Sequence, residues 1–222
     1  MKIAILYSGR VLNWDDYYKN LQHYIVKGHD VDFFFFHNKN QDEDLTGFIE
    51  LYKPKIVMDE YISADLSGNA YNINGMYMFY SRHAIFKAFK QYVLENNCQY
   101  DFVCSYRLDL LTLCDIHFET LIHDDQVINI PNIAHSGGIN DFMAIGSMNA
   151  MEKYCCLIQN FETLLTLTGN TMSNEFMLLV YLEGIQLRVN FYPFRCLLRD
   201  DIRENGGAVK RLSLCDENLF VE

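Results

Sequence analysis

A guanidinium and a carboxylate stand two positions apart in Ser105-Tyr106-Arg107-Leu108-Asp109, directly after the strand-like run that begins at Asp101. Side chains alternate along a strand, so Ser105, Arg107 and Asp109 are predicted to share one face, and in open α/β sheets the carboxyl ends of strands border the ligand crevice. Arginine offers a bidentate fork to phosphate oxygens, and aspartate offers a hard oxygen to Mg²⁺ or Mn²⁺. A diphosphate accompanied by a divalent cation asks for both. The same letters also spell an ordinary ion pair at a strand end, and the pattern alone leaves the two readings side by side.

Other candidates sit where the chain turns. Ser8-Gly9-Arg10 follows the first strand, where nucleotide phosphates or bases commonly bind or where the glycine simply makes the turn; neither G-x-G-x-x-G nor G-x-x-x-x-G-K-[ST] occurs, so the dinucleotide and P-loop readings lose their main support. His37 ends the second strand and is predicted to border the same crevice, or to be a hydrogen-bonded structural residue, since no His or Cys stands at metal-ligand spacing with it. Arg82 lies on a long helix and reads either as a phosphate ligand or as a solvated side chain. Two carboxylates, Asp141 after Gly137-Gly138-Ile139-Asn140 and Glu175 at a helix start, read as a turn aspartate and a first-turn glutamate or, if the chain transfers a group to a hydroxyl, as candidates for its general base. Asp141 is preferred, because a loop carboxylate pressed against substrate can have its pKa raised, whereas a helix N-terminus keeps a glutamate acidic. No G-x-S-x-G elbow and no Cys-His or Ser-His order suggests acyl transfer.

The elements that must position these residues alternate. Lys2 to Tyr7, Val31 to Phe36, Lys55 to Met58 and Asp101 to Tyr106 read as strands. Between them come three helical patterns: one capped by Asn13 with Tyr17, Leu21, Tyr24 and Ile25 on a face, one with Leu45, Phe48, Ile49 and Tyr52, and a long one from about Asn74 to Leu94. Val127 to Ile130 and Asp141 to Ile145 read as further strands around the loop Pro131 to Asn140, whose Ser136-Gly137-Gly138 is the most flexible stretch by composition. Ser147 caps a predicted helix to about Leu167, Ser173 or Asn174 caps another to Gly184, and Gln186 to Tyr192 alternates as a strand. The series predicts one α/β domain over residues 1–222, with a mixed sheet covered on both faces and a polar loop or tail from about residue 200.

Composition narrows the function classes. Of 222 residues, 18 are Lys or Arg and 29 Asp or Glu, a net charge of −11 with no basic cluster, which argues against nucleic acid or an anionic membrane as the main partner. The N-terminal apolar run stops at Ser8, short of a signal-peptide core, and the longest apolar stretch, Phe176 to Leu182, is far from the roughly 20 residues of a membrane span. Seven cysteines without a C-x-x-C pair read as reduced thiols. A soluble cytoplasmic protein is the expectation.

Taken in order, these segments resemble small nucleotide-sugar-dependent glycosyltransferases of the GT-A type, specifically the WavE-like lipopolysaccharide-synthesis group and its relatives in large DNA viruses and protists. Ile5-Leu6-Tyr7-Ser8-Gly9-Arg10 is similar to the group's opening strand and Ser-Gly-x-x-Arg, although Arg10 falls earlier than the group's arginine. Val31-Asp32 through His37 resembles its Val-Asp-x-Phe-x-x-His strand, and Met76, Tyr80 and Ser81 suit its third helix. Tyr100-Asp101-Phe102-Val103 through Arg107-Leu108-Asp109 stands where other GT-A enzymes carry Asp-x-Asp. Asn140-Asp141-Phe142 through Gly146-Ser147, and Glu175 with Leu178, match later motifs. Ser105 and Asn38 depart from the group, which has Arg and Trp there.

The resemblance implies a Rossmann-like GT-A domain that moves a sugar from a UDP- or GDP-sugar to a hydroxyl of a glycan acceptor, in the cytoplasm or, for a viral protein, the host cytoplasm. It implies that Ser8, Gly9, Arg10 and His37 line the nucleotide pocket, that Arg107 and Arg82 hold the diphosphate, and that Asp109 binds a divalent cation, Mn²⁺ or Mg²⁺, or the ribose. The C-terminal histidine that completes metal binding in many GT-A enzymes is missing, since no histidine follows His135. Two other readings stay open: a non-catalytic glycan- or nucleotide-binding module, whose aromatic residues would stack on sugars, and a nucleotidyltransferase, for which a Gly-rich signature after the first strand would be expected.

Overall fold

The structure, a computed structural model, describes residues 1–9, 11, 14–39, 43–62, 70–169 and 173–198. Arg10, the expected helix cap Asn13 and the tail expected from about residue 200 lie outside the described residues. At the centre is β1 (Lys2–Ser8), flanked in parallel by β2 (Asp30–Asn38) and β4 (Phe102–Arg107). From Ile3 to Tyr7 every side chain is buried, on both faces, as expected of a strand inside a parallel sheet. The phenylalanine run of β2 divides between the two sides: Phe34 and Phe36 pack with Ala4, Leu6 and Val103, while Phe33 and Phe35 pack with Ile3, Ile5 and Cys104.

Parallel neighbours cannot be joined by a tight turn, so each connection crosses a face. On one side lie α1 (Trp14–Leu21), prolonged by a π-helical turn to Val26, and α2 (Thr46–Tyr52), which leads to the edge strand β3 (Ile56–Glu60). The chain then returns across the sheet through α3 (Ala70–Asn96), whose 27 residues extend about 40 Å. Asn97, with φ of 46°, ends it, and Phe79, Ile85, Phe86 and Phe89 cover the face of Phe34 and Val103.

The second half completes a seven-stranded mixed sheet in the order β3-β2-β1-β4-β7-β6-β8. Here β6 is Val127–Pro131, β7 Met143–Gly146 and β8 Arg188–Tyr192; β7 alone runs against its neighbours. Two short strands not expected from sequence, β5 (Leu110–Thr112) and β9 (Cys196–Leu198), form a separate antiparallel ribbon. Helices α4 (Met148–Cys155), α5 (Phe161–Leu167) and α6 (Asn174–Gly184) join α3 on its face. The expected architecture, one α/β domain with a mixed, Rossmann-like sheet and helices on both faces, is present. Among the described residues no helix is long and apolar enough to cross a membrane.

Some expectations are corrected. The helix expected from Ser147 to Leu167 is three pieces, because the Lys153 carbonyl accepts the Tyr181 hydroxyl (2.7 Å) and the Cys156 N–H, which tightens residues 156–160 into a 3₁₀ turn. Ile49 points to solvent at 38% exposure, and Phe48 and Tyr52 make the buried face of α2. The strand expected from Gln186 starts at Arg188, two residues late, since Gln186 takes φ of 58° and the Leu187 N–H closes back on the Leu182 carbonyl.

One buried side chain links β6 to β7, to β8 and to the chain before β6. Asn129 donates to the Ile122 and Ile145 carbonyls (2.9 and 3.0 Å) and accepts from the Ile122 N–H and the Asn190 amide (3.0 and 2.8 Å). Asn129→Ala strands all four partners, so the unfolding free energy should fall by about 2 kcal/mol or more. A urea midpoint unchanged from the parent would show that the junction does not depend on this amide.

Candidate functional site

Every strand of the main sheet except β7 ends at one edge, which therefore carries Ser8, Asn38, Arg107, Pro131 and Tyr192, and there β7 begins. From β1 the chain leaves towards β2, and from β4 it leaves towards β6, so the connections diverge between β1 and β4. Such a switch point opens a crevice at the carboxyl ends of the strands. Ser8 and Arg107 are register partners there. Gly9 follows with φ of +130°, a conformation that side chains rarely adopt, and with open space where a Cβ would stand.

Arg107 and Asp109 form the pair that their spacing allowed. Nε and Nη2 of Arg107 donate to Oδ1 and Oδ2 of Asp109 at 2.9 and 2.7 Å, and the two side chains stay 30% and 27% exposed. The guanidinium also lies 5.3 Å from the centre of the Phe142 ring, and the Arg107 N–H donates to the Phe142 carbonyl (3.2 Å).

The segment carrying Asp141 is fixed from several directions. Asn140, fully buried, donates to the Ile133 carbonyl (2.7 Å) and accepts the Phe142 N–H (2.6 Å), and this turn keeps residues 141 and 142 out of the strand expected to start at Asp141. The Ile139 N–H donates to the Glu175 carbonyl (2.9 Å) in the first turn of α6, whose cap is Ser173. The two candidate bases are thus carried side by side, Asp141 buried and Glu175 half-buried. Gly138 is no hinge: a Cβ on it would overlap the Glu175 carbonyl and the Phe176 nitrogen. Glycine serves close approach here, which corrects the expectation of a flexible loop.

Arg82 enters from α3 beneath this segment, at 3% exposure. Its Nη2 donates to the Asp141 carbonyl (2.8 Å), and the rings of Phe79 and Tyr154 flank the guanidinium at 5.6 and 5.1 Å. Both sequence readings put Arg82 at the surface, and the structure buries it. Burial pushes the Tyr154 hydroxyl well above the ordinary tyrosine range; the Arg82 charge works against that shift and the Asp141 charge adds to it, so the three groups are electrostatic neighbours. Tyr154 and the interior helix glycine Gly75, where a Cβ would overlap the Asn174 side chain, were not singled out from sequence. A glycine inside a helical pattern was the one available signal.

His37 stands away from this group. Strand alternation sends it to the face of Phe33 and Phe35, whereas Ser8 follows Ala4 and Leu6. Its Nδ1 bonds Asp59 (2.9 Å) and its Nε2 lies 3.8 Å from Glu43, whose carboxylate accepts the Val11 N–H. His37 is thus buried on the opposite face of the sheet from Ser8, bonded to Asp59, rather than standing beside Arg107. Among the described residues no three His, Cys, Asp or Glu side chains stand together as a metal site.

His135 accepts the Asn140 N–H at Nδ1 (3.2 Å), which requires the neutral ring. Burial holds His135, His83 and His29 below the ordinary histidine value of 6.5. The unfolded chain therefore takes up these protons at higher pH than the native one, and stability that is complete above pH 6.5 is lost as pH falls through the lowered native values. Urea midpoints between pH 7.5 and 5.5 should drop, less steeply in His135→Asn; an equal slope in that variant would remove His135 from the account. For the glycines, Gly137→Ala, strained only by φ of +82°, should cost about 1 kcal/mol. Gly138→Ala should cost more, because backbone must move; equal unfolding midpoints would contradict the close packing.

No protein-family model and no curated protein matches the chain, so the reading of the site rests on its own geometry.

Proposed function

We propose that the chain is a glycosyltransferase of the GT-A type, moving a sugar from a UDP- or GDP-sugar to a hydroxyl of a glycan acceptor. The observation that carries the reading is the pairing of Ser8 with Arg107 at the switch point, with a half-exposed guanidinium and carboxylate beside it and a fixed carboxylate-bearing segment next to them. Ser8, Gly9 and Arg10 would receive the nucleotide. The donor's phosphate oxygens compete with Asp109 for the same two N–H groups of Arg107, so a bound diphosphate frees the Asp109 carboxylate for a ribose hydroxyl.

Both Asp109 oxygens are engaged by Arg107, and among the described residues no three His, Cys, Asp or Glu side chains gather there, so the site does not fit a cation held by protein carboxylates and histidines alone. The charge on the departing diphosphate is then met by arginine, and catalysis is chiefly placement and charge stabilisation. A carboxylate opposite the diphosphate takes the acceptor proton. Asp141 is the first candidate and Glu175, joined to the same segment, the second. Cys98, Cys104, Cys155 and Cys156 are free thiols, which supports a reducing, cytoplasmic setting.

A thermal-shift panel tests the donor class, because ligand bound to the native state raises apparent stability. A UDP- or GDP-sugar, with or without Mn²⁺, should raise the melting temperature, and NAD should not; the reverse result would refute the proposal. Stabilisation without donor turnover, with or without an acceptor, would leave a binding module. Given turnover, Asp141→Asn should reduce it on the order of a hundredfold with the donor dissociation constant nearly unchanged. Collapse in Glu175→Gln instead would move the base to Glu175. Arg107→Lys keeps charge but loses the fork, and should weaken donor binding with or without metal.

A further inference from the structure

Seven buried side-chain polar atoms among the described residues have no hydrogen-bond partner, and three of them crowd one spot: Nε and Nη1 of Arg82 and the hydroxyl of Tyr154. Buried polar groups are paired in most of a folded protein, so unpaired ones clustered beside a candidate base mark a place where stability has been given up for something else. Arg82 cannot serve a diphosphate at the crevice as it stands. Its guanidinium is closed to solvent, flanked by the Phe79 and Tyr154 rings, and its one hydrogen bond reaches the main-chain carbonyl of Asp141. A neutral donor could have satisfied that carbonyl. A guanidinium is instead brought across from α3 to the short segment that also connects to β4, through the Phe142 carbonyl, and to α6, through the Ile139 N–H.

We infer that Arg82 is a positioning residue: it holds the Asp141 peptide, and through it the carboxylate, at a fixed height above the helix layer. The assignment rests on the proposed transfer reaction for its kinetic consequence, but the holding itself is a property of the fold. Aromatic rings on two sides leave the guanidinium little freedom to turn, and the bond of 2.8 Å transmits its position to residue 141. The other anchors of the segment act at residues 139, 140 and 142, so Arg82 is the described side chain that grips residue 141 itself. Displacing a catalytic group by about 1 Å can cost on the order of a hundredfold in rate, which is enough to make such a clamp visible in kinetics.

The experiment compares Arg82→Lys and Arg82→Met with the parent by turnover, donor affinity and amide hydrogen exchange. Arg82→Met should lower turnover about a hundredfold with the donor dissociation constant within about threefold, and Arg82→Lys should recover part of the loss. Exchange at Asn140 and Phe142 should speed up at least about tenfold while β1 and β4 stay protected. Weaker donor binding with unchanged turnover at saturation would make Arg82 a donor ligand and overturn the inference. So would uniform acceleration of exchange with normal turnover per folded molecule, the mark of a purely structural arginine. If Arg82→Met does not fold, Tyr154→Leu, which removes one flanking ring, should reproduce the local exchange change more weakly, and its absence there counts against the clamp. If the parent transfers no sugar from any donor, the reaction reading has failed, and the exchange pattern alone still decides whether Arg82 positions the segment.

Discussion

The constraint on which the rest depends is the burial of β1 on both faces between two parallel neighbours. A strand with no solvent-facing side must be apolar throughout, and Ile3 to Tyr7 is. Parallel pairing then forces a crossover for each connection, and crossovers place helices over both faces. With β2 on one side of β1 and β4 on the other, the chain has to reverse its direction of travel across the sheet between β3 and β4, and α3 makes that return. The switch point at which Ser8 and Arg107 pair is a consequence of this reversal. Nothing about the chemistry of the two residues was needed to create it.

Beside this edge stands a stiff support, the segment 139–142. Four consecutive residues hand their main-chain or side-chain groups to four different places: Ile139 to α6, Asn140 to the loop after β6, Asp141 to α3 and Phe142 to β4. A loop tied in this way can keep a carboxylate in place without regular structure. Its cost appears elsewhere, in a glycine at 138 that no other residue can replace without backbone movement and in a buried arginine with unmet donors.

How much of this could be read from the letters follows from the range of the forces involved. Strands buried on both faces write themselves as apolar runs, so β1, β2 and β4 were visible, as were the capped ends of α4 and α6 at Ser147 and Ser173. The proximity of Arg107 to Asp109 is local and was visible too. Features decided by distant partners were not. The Tyr181 hydroxyl that splits the helix after Cys155 comes from 28 residues away, and β5 with β9 are three residues each, paired across more than 80 positions. Arg82 and His37 show the same limit in the site itself. Each sits in a segment whose pattern fixes the element but not which way a polar side chain turns, and each was expected at the crevice but is held in the interior, one by Asp141 and aromatic rings, the other by Asp59 beside Glu43.

Charge decides which kind of anion this edge could receive. The chain carries a net −11, and a long polyanion lying across it would meet that charge over its whole length. At physiological ionic strength, however, charges more than about 8 Å apart are largely screened. A ligand small enough to lie within that distance of Arg107 responds to the arginine and its neighbouring backbone, not to the carboxylates on the remaining surface. The paired Asp109 cancels much of the arginine's field at a distance, so little long-range attraction is left, and a phosphate gains from the site only by taking over the two N–H groups at contact range. For the donor proposed above, such an edge would offer a short-range claim on one or two phosphate groups and little attraction beyond it.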